Sequence, residues 1–234
     1  MVMQCDPRGR GREQIPDVET RVEEAINCVT HGVGAGLAAA ALAVLVTLAA
    51  TRGEARHIVG VSVYGASLLG LYVASTLYHA CRCGRPDRTR LRLALKALDH
   101  IGIYCLIAGT YTPFLIVLIR GGWGWTMLCV LWGLALLGTV FKLYYVNRFE
   151  VASTLLYVAM GWIGIIGAKP LLLSLPGGAL AWVLAGGIAY TAGVVFFLWE
   201  RLPFNHAIWH LFVLAGSACH FLAVLLYVVP AAKV

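Results

Sequence analysis

The sequence predicts an all-α membrane protein with seven transmembrane helices. Of its 234 residues, 60% are hydrophobic and 12% are charged, whereas a soluble domain carries about 25% charged residues. The apolar residues gather into runs close to the roughly 20 residues that cross a bilayer as a helix. The connections between these runs are short, and neither a repeat nor a second soluble domain stands out.

The predicted spans cover residues 29–50, 58–80, 98–119, 123–143, 152–168, 178–198 and 207–229. The fifth is the shortest and is bounded by Lys169 and Pro170. The chain therefore divides into an N-terminal segment, residues 1–27, and a seven-helix domain, residues 28–234. Residues 17–27 place apolar side chains at helical spacing, which predicts a short amphipathic helix on the membrane surface.

The basic residues predict the orientation in the membrane. Thirteen lysines and arginines fall on the side of the N-terminus, among them Lys142 and Arg148 in the loop after the fourth span, and five fall on the other side. The positive-inside rule then places the N-terminus in the cytoplasm and the C-terminus outside, in a multi-pass protein of the plasma membrane. Because the positive charges lie in short loops, the net charge of +7 does not indicate nucleic-acid binding; we interpret it as topology and contacts with anionic lipid.

Four ionisable residues are expected at one depth near the cytoplasmic boundary. His206 and His210 lie four residues apart, on one face of the last span. The topology brings His79, at the end of the second span, and Asp99, at the start of the third, to the same level. Such groups are costly within a membrane and are therefore functional candidates. Three imidazoles and a carboxylate predict a metal site, namely zinc held by the three histidines with a water in the fourth position.

The neighbouring polar residues suggest how such a site works. Zinc lowers the pKa of a bound water to about 7, and we expect Asp99 to hold that water and to move its proton. Ser75, four residues before His79, is placed to orient a ligand or polarise a carbonyl. Three further residues are candidates for supporting the site: Asn27, His31 and His220. The alternative interpretation is that all these groups form interhelical hydrogen bonds, each worth roughly 1 kcal/mol.

Other histidines and a proline have simpler expected places. His220 is expected deeper in the bundle near Ser217, either as a hydrogen-bonded core residue or as part of a proton or ion relay. His57 is expected on the outer surface. Pro113, inside the third span, predicts a kink that either widens the bundle above Asp99 or has no role in substrate binding.

Taken together, the polar motifs resemble the hemolysin III family, the bacterial branch of the progestin and adipoQ receptor superfamily. The motifs are Glu24-x2-Asn27-x2-Thr30-His31-Gly32, Ser75-x3-His79, Asp99-His100 followed by Gly109-Thr110-Tyr111-Thr112-Pro113-Phe114, and His206-x3-His210 with Gly216-Ser217-x2-His220. The resemblance implies seven helices, a cytoplasmic N-terminus and a zinc ion near the inner face. By that resemblance His79, His206 and His210 are the ligands, with Asp99 and Ser75 in the water network.

The resemblance leaves three functions open. The adiponectin receptor branch is associated with hydrolysis of ceramide, a lipid amide, which implies a zinc-dependent lipid hydrolase. The bacterial branch is named for lysis of red cells and is described as pore-forming, which implies a cytolysin or channel. A receptor or regulator of lipid homeostasis with a structural zinc is the third. In each case the expected partners are membrane lipids.

Overall fold

The computed structural model describes residues 18–52, 54–83, 89–165 and 172–231. Most of the N-terminal segment, residues 1–17, and the predicted boundary at Lys169 and Pro170 lie outside the described residues. Within the described part, seven helices exceed ten residues. They are α1 (Val18–Arg52), α2 (Ala55–Cys83), α3 (Thr89–Pro113), α4 (Gly121–Tyr145), α5 (Glu150–Gly161), α6 (Gly177–Phe197) and α7 (Asn205–Ala223).

Six of these helices are long and apolar enough to cross a membrane; α5 is the exception. The predicted fifth span, residues 152–168, begins in α5, whose 12 residues rise about 18 Å, against about 30 Å for a bilayer core. A short 3₁₀ turn, Ile163–Ile165, follows it, and residues 166–168 lie outside the described residues. A seventh crossing and the orientation of the termini therefore stay predictions.

The first helix is continuous. Residues 18–27, in the region assigned to a separate surface helix, form the opening turns of α1, and no break separates them from the apolar residues that follow. Neither glycine nor proline occurs between Val18 and His31, so nothing in the backbone interrupts the hydrogen-bond ladder. As a result Glu24, Asn27 and His31 are held on one rigid element.

Two of the long helices end in wider turns. α3 continues through Pro113 into a π-helical turn, Phe114–Ile119, and α7 continues into another, Val224–Val228. Proline lacks a backbone N–H and disrupts the regular ladder at its position, and π turns recur where a ladder is disturbed. In α3 the Thr112 hydroxyl donates to the Ala108 carbonyl at 2.8 Å and accepts from the Trp132 indole N–H at 3.1 Å.

Most consecutive helices pack on each other, and contact between the last helix and the first closes the bundle; within the described part of the chain, α5 packs on α3 and not on α4. α1 packs on α2, α2 on α3, α3 on α4 and α6 on α7, while α7 also contacts α1. Close approach requires small residues at particular points. A Cβ at Gly138 would lie 2.5 Å from the Tyr104 ring, and one at Gly216 would lie 2.6 Å from the Tyr190 ring.

Helices alternate in direction, so functional residues from distant segments meet at one end. There the start of α1 meets the end of α2 through Glu24 and His79. The start of α3 meets the start of α5 through Lys96 and Glu150. We call this the N-terminal end of the bundle. Toward the opposite end, the core is filled by buried aliphatic side chains such as Val61, Val224 and Val228.

Candidate metal centre

His79, His206 and His210 converge at the N-terminal end of the bundle. One ligand nitrogen from each lies within 4.8 Å of the other two. The ring centroids are 5.1 Å apart for His79 and His206, 5.0 Å for His79 and His210, and 4.6 Å for His206 and His210. We call these residues the three-histidine group. Nitrogens this close can bind one metal ion, which is the arrangement predicted from the sequence.

The start of α7 is fixed by its connection to α6. Phe204, immediately before α7, adopts φ 58°, a left-handed conformation that is uncommon for a residue with a side chain. The next residue, Asn205, donates its side-chain N–H to the Phe197 carbonyl at the end of α6, at 3.1 Å. The turn is therefore tied to α6, and His206 and His210 project from one face of the helix that begins there.

Glu24 holds His79 in one tautomer. The His79 Nδ1 lies 2.7 Å from Glu24 Oε2. An ionised carboxylate can only accept, so Nδ1 carries the hydrogen and donates it. The other nitrogen, Nε2, is buried and has no hydrogen-bond partner among the described residues. Its lone pair is therefore free for a metal, and the arrangement is the carboxylate–histidine pair that orients metal ligands in many proteins.

The second oxygen of Glu24 is also engaged. Arg82 Nε lies 2.7 Å from Glu24 Oε1, one turn beyond His79 on α2. The carboxylate thus bridges a guanidinium and an imidazole. Glu24 belongs to a motif of the sequence but was not predicted to take part in the site. The available signal was its spacing, since Glu24, Asn27 and His31 recur on one face of a helix.

The Thr30 hydroxyl orients the His210 ring, as the Glu24 carboxylate orients the His79 ring. The Thr30 hydroxyl lies 2.9 Å from the Ile26 carbonyl and 3.0 Å from the Asn27 carbonyl, so its hydrogen is donated to its own helix. His210 Nδ1 lies 3.3 Å from the same hydroxyl oxygen. Nδ1 then donates to Thr30, and the lone pair of His210 is left on Nε2. Two of the three histidines are therefore oriented by α1.

His31 and Asn27 lie beside the three-histidine group. The His31 ring stacks on the His210 ring, with 3.4 Å between centroids and 12° between planes, and it meets Tyr72 edge-on at 5.0 Å. Both His31 nitrogens and the Asn27 Oδ1 are buried without a hydrogen-bond partner among the described atoms. Both were predicted to support the site, and the structure puts them next to it. His31 does not belong to the three-histidine group itself.

Asp99 and Ser75 face the same internal space. A cavity of about 150 Å³ is lined by both residues, and also by His206 and His210. Asp99 is 8% exposed and Ser75 is 1% exposed. The two residues proposed to manage water and substrate are thus buried beside two of the predicted ligands. We call this space the central cavity.

His220 lies deeper, in a tyrosine–serine network. Its Nδ1 is 2.8 Å from the Gly216 carbonyl, and its ring stacks on Tyr190. The Ser217 hydroxyl is 2.9 Å from the Tyr72 hydroxyl and 3.0 Å from that of Tyr190. His220 follows His210 by ten residues, about 15 Å along a helix. It lines the central cavity at a distance from the three-histidine group, which agrees with a hydrogen-bonded core residue.

Two residues differ from their expected places. Lys142, assigned to the loop after the fourth span, is fully buried, because α4 continues to Tyr145 and turns this side chain inward. His57, expected on the outer surface, is also fully buried. Its Nδ1 accepts the Glu54 backbone N–H at 3.1 Å, so the ring is folded back over the start of α2.

Comparison with known proteins places the chain. The family model described as haemolysin-III related matches residues 19–221. The chain belongs to the haemolysin-III related family. That match includes the three-histidine group together with Glu24, Asp99 and Lys142, so the whole centre lies within the family's shared domain.

Individual relatives extend the comparison. Hemolysin-3 of Bacillus cereus is 50% identical over 211 residues, which cover 90% of this chain and 94% of that protein. A Hemolysin-3 homolog of Bacillus subtilis is 46% identical, covering 88% and 95%. The human monocyte to macrophage differentiation factor is 29% identical, covering 89% and 85%. The chain is thus a multi-pass membrane protein of the haemolysin III type, as the motifs indicated.

Proposed function

We propose that the protein is a zinc-dependent hydrolase of lipid amides in the cell membrane, with the three-histidine group as its metal site. The observation that carries the proposal is the shared cavity. His206 and His210 line it together with Asp99 and Ser75. Metal ligands, a carboxylate and a hydroxyl around one space are the groups that hydrolysis of a carbonyl compound requires.

The ligand set favours zinc and favours catalysis over a structural role. Imidazole nitrogens suit zinc, and a structural zinc site is closed by four protein ligands. Catalytic sites have three protein ligands and leave one position for water or substrate. The three-histidine group has the catalytic number, and the buried Nε2 atom of His79, which has no hydrogen-bond partner among the described residues, is available as a ligand.

Each residue has a defined part in the proposed reaction. Zinc, when bound, supplies a Lewis acid and lowers the pKa of a coordinated water. The Asp99 carboxylate accepts a proton from the attacking water and returns it to the nitrogen of the departing amine. The Ser75 hydroxyl donates a hydrogen bond to the amide carbonyl oxygen. One water is consumed, and a fatty acid and an amine leave.

The cavity favours an amphiphilic substrate. Its walls between the polar groups are apolar, with Ile103, Leu106 and Val213 among the lining residues. A closed cavity of about 150 Å³ takes up benzene, so a volume of this size holds a segment of an acyl chain. The remainder of a lipid would extend between the helices into the bilayer.

A second candidate function is membrane lysis, and the name of the Bacillus cereus relative, Hemolysin-3, is the observation that favours it. A pore would have to pass the half of the bundle beyond His220. There Val61, Val224 and Val228 are fully buried in the core. A receptor or regulator with a structural zinc is the third possibility. It would lose stability on metal removal and consume no substrate.

The decisive experiment combines metal content with turnover. Detergent-purified protein is measured by mass spectrometry beside the double variant His206→Ala/His210→Ala, with His57→Ala as the matched control for loss of a buried histidine. We expect about one zinc per chain in the wild type and the control, and none in the double variant. The zinc-loaded protein is then assayed against a panel of ceramides and other lipid amides.

The outcomes separate the candidates. Folded wild-type protein without metal contradicts the hydrolase. Zinc without turnover of any amide in the panel favours the structural-zinc reading. Leakage from liposomes that persists in a His79→Ala variant supports the lytic function and detaches it from the metal.

A further inference from the structure

The central cavity is also lined by two basic side chains that do not belong to the three-histidine group. Lys142 on α4 and His100 on α3 both line it. The Lys142 side chain is fully buried, and its Nζ has no hydrogen-bond partner among the described residues. The Nδ1 of His100 is buried and unpartnered in the same way. Two nitrogen-bearing side chains thus face one space without a protein oxygen to bind.

The carboxylate that acts on Lys142 is already bound by a different lysine. Glu150 Oε1 lies 2.8 Å from Lys96 Nζ, and Lys96 also reaches the Asn147 side-chain oxygen at 3.2 Å. The charged groups that act on Lys142 are Glu150 and Lys96. Two ammonium groups therefore act on this carboxylate, and only Lys96 is hydrogen-bonded to it, since Lys142 Nζ has no partner among the described residues.

A buried ammonium without a hydrogen-bond partner needs an explanation. Transfer of an isolated charge out of water costs several kcal/mol or more unless a counter-ion or hydrogen bonds compensate. A lysine near the end of a span ordinarily extends its ammonium toward the interface. Lys142 lies three residues before the end of α4, yet no part of it is exposed. The burial of the Lys142 ammonium group beside the cavity is therefore better explained by ligand binding than by solvation at the interface.

We propose that Lys142 and His100 bind the phosphate or carboxylate group of an amphiphile whose chain occupies the central cavity. Lysine ammonium groups bind phosphate and carboxylate through charge-assisted hydrogen bonds, and a histidine N–H adds a donor. The apolar lining of the cavity, including Ile103 and Ile107, accommodates the chain. Binding of the amphiphile does not depend on the proposed function. If the proposed hydrolase is correct, the amphiphile is its substrate, which is then an amide lipid with an anionic group.

The test measures binding without turnover. Full-length protein in phosphatidylcholine nanodiscs is titrated with dodecyl phosphate, dodecanoate and uncharged dodecanol. The wild type is expected to bind the two anions about 10- to 100-fold more tightly than the alcohol, the range of one or two charge-assisted hydrogen bonds. Inorganic phosphate as a competitor shows whether the site binds a free anion or an amphiphile. Competition at low phosphate concentration indicates a site for the free anion. Lack of competition indicates that binding requires the acyl chain.

Variants locate the preference. Lys142→Met is expected to bring anion binding to the level of the alcohol, whereas Arg120→Met, which removes a basic residue that bonds the Val117 carbonyl beyond the far end of α3, retains the preference. The double variant His206→Ala/His210→Ala is expected to keep it as well, because the anion does not bind through the metal. The double variant tests anion binding separately from the proposed hydrolase activity, since an inactive or metal-free protein should still prefer the anions.

Thermal unfolding shows whether a Lys142 variant has lost binding because it is misfolded. Replacing a buried charge that lacks a hydrogen-bond partner with an apolar side chain of similar length is neutral or stabilising, so ligand-free Lys142→Met should unfold at the same temperature as the wild type or higher. Lys142→Gln serves as a second uncharged variant. Equal binding of anion and alcohol by the wild type overturns the inference. So does an undiminished anion preference in both Lys142 variants.

Discussion

The hydrogen bond between Glu24 and His79 makes a quantitative prediction about metal affinity. Replacing Glu24 with glutamine preserves the size of the side chain and an oxygen that can accept from His79 Nδ1, but removes the charge that this 2.7 Å contact carries. Hydrogen bonds to charged groups contribute about 1.5–3 kcal/mol, and each 1.4 kcal/mol is tenfold in an equilibrium constant. We therefore expect zinc to bind Glu24→Gln about 10- to 100-fold more weakly, the range for residues that orient metal ligands.

The assay is competition with a chromophoric zinc chelator, at fixed pH and in one detergent. Arg82→Gln is the matched control, because Arg82 contacts the other oxygen of Glu24 at 2.7 Å without touching a histidine of the group. A smaller loss is expected there, since the carboxylate still accepts from His79. Thermal unfolding of each metal-free variant shows whether the fold is intact.

Two outcomes would refute the reasoning. If Glu24→Gln binds zinc as tightly as the wild type, the carboxylate does not orient a ligand. If Arg82→Gln loses as much affinity as Glu24→Gln, the effect comes from the ion pair between α1 and α2 and not from the histidine.

Three further predictions follow from particular contacts. Chelation of the metal should lower the unfolding temperature of the wild type but not of His206→Ala/His210→Ala, because a ligand at 100 times its Kd stabilises by about 2.7 kcal/mol; equal shifts in both proteins would contradict a site at these histidines. Gly186→Ala should be destabilised by about 1–3 kcal/mol relative to Gly187→Ala, because the added Cβ would collide with the His220 ring, whereas at Gly187 it would make ordinary contact with Trp162 at 3.4 Å; equal unfolding temperatures would refute this. The hydrogen bond from Lys96 lowers the pKa of Glu150, so the pair stabilises the protein above the ordinary glutamate value and this contribution is lost as pH falls through the lowered pKa; Glu150→Gln should flatten that acid-side dependence by less than about 1 kcal/mol because the pair is partly exposed.

The convergence of the ligands was predictable because it depends on few variables. Spans that alternate in direction bring the end of α2 and the start of α7 to one level, and a spacing of four residues places His206 and His210 on one face. The same argument put Asp99 and Ser75 at that end, where both line the central cavity. Six of the seven spans predicted from hydropathy correspond to helices long and apolar enough to cross a membrane.

What the sequence left open depends on how each helix is rotated and where it stops. Nothing in the hydropathy of α1 shows that Glu24 faces α2, since that follows from packing over the whole helix. Lys142 was counted with the loop after the fourth span, yet α4 continues to Tyr145. α5 ends at Gly161 although apolar residues follow it, because apolar composition does not by itself prolong a helix.

The distribution of the metal centre along the chain has a consequence for biogenesis. Glu24, His79 and Arg82 all belong to the first two helices, so their ion pair and hydrogen bond can form as soon as those helices lie side by side. His206 and His210 are on α7, made last during synthesis. Before α7 packs into the bundle, Glu24 can already hold the hydrogen of His79 on Nδ1, but the other two histidines of the group are not yet in place. Binding of the proposed metal therefore requires α7, and a nascent chain that stalls before α7 carries only one of the three histidines of the group.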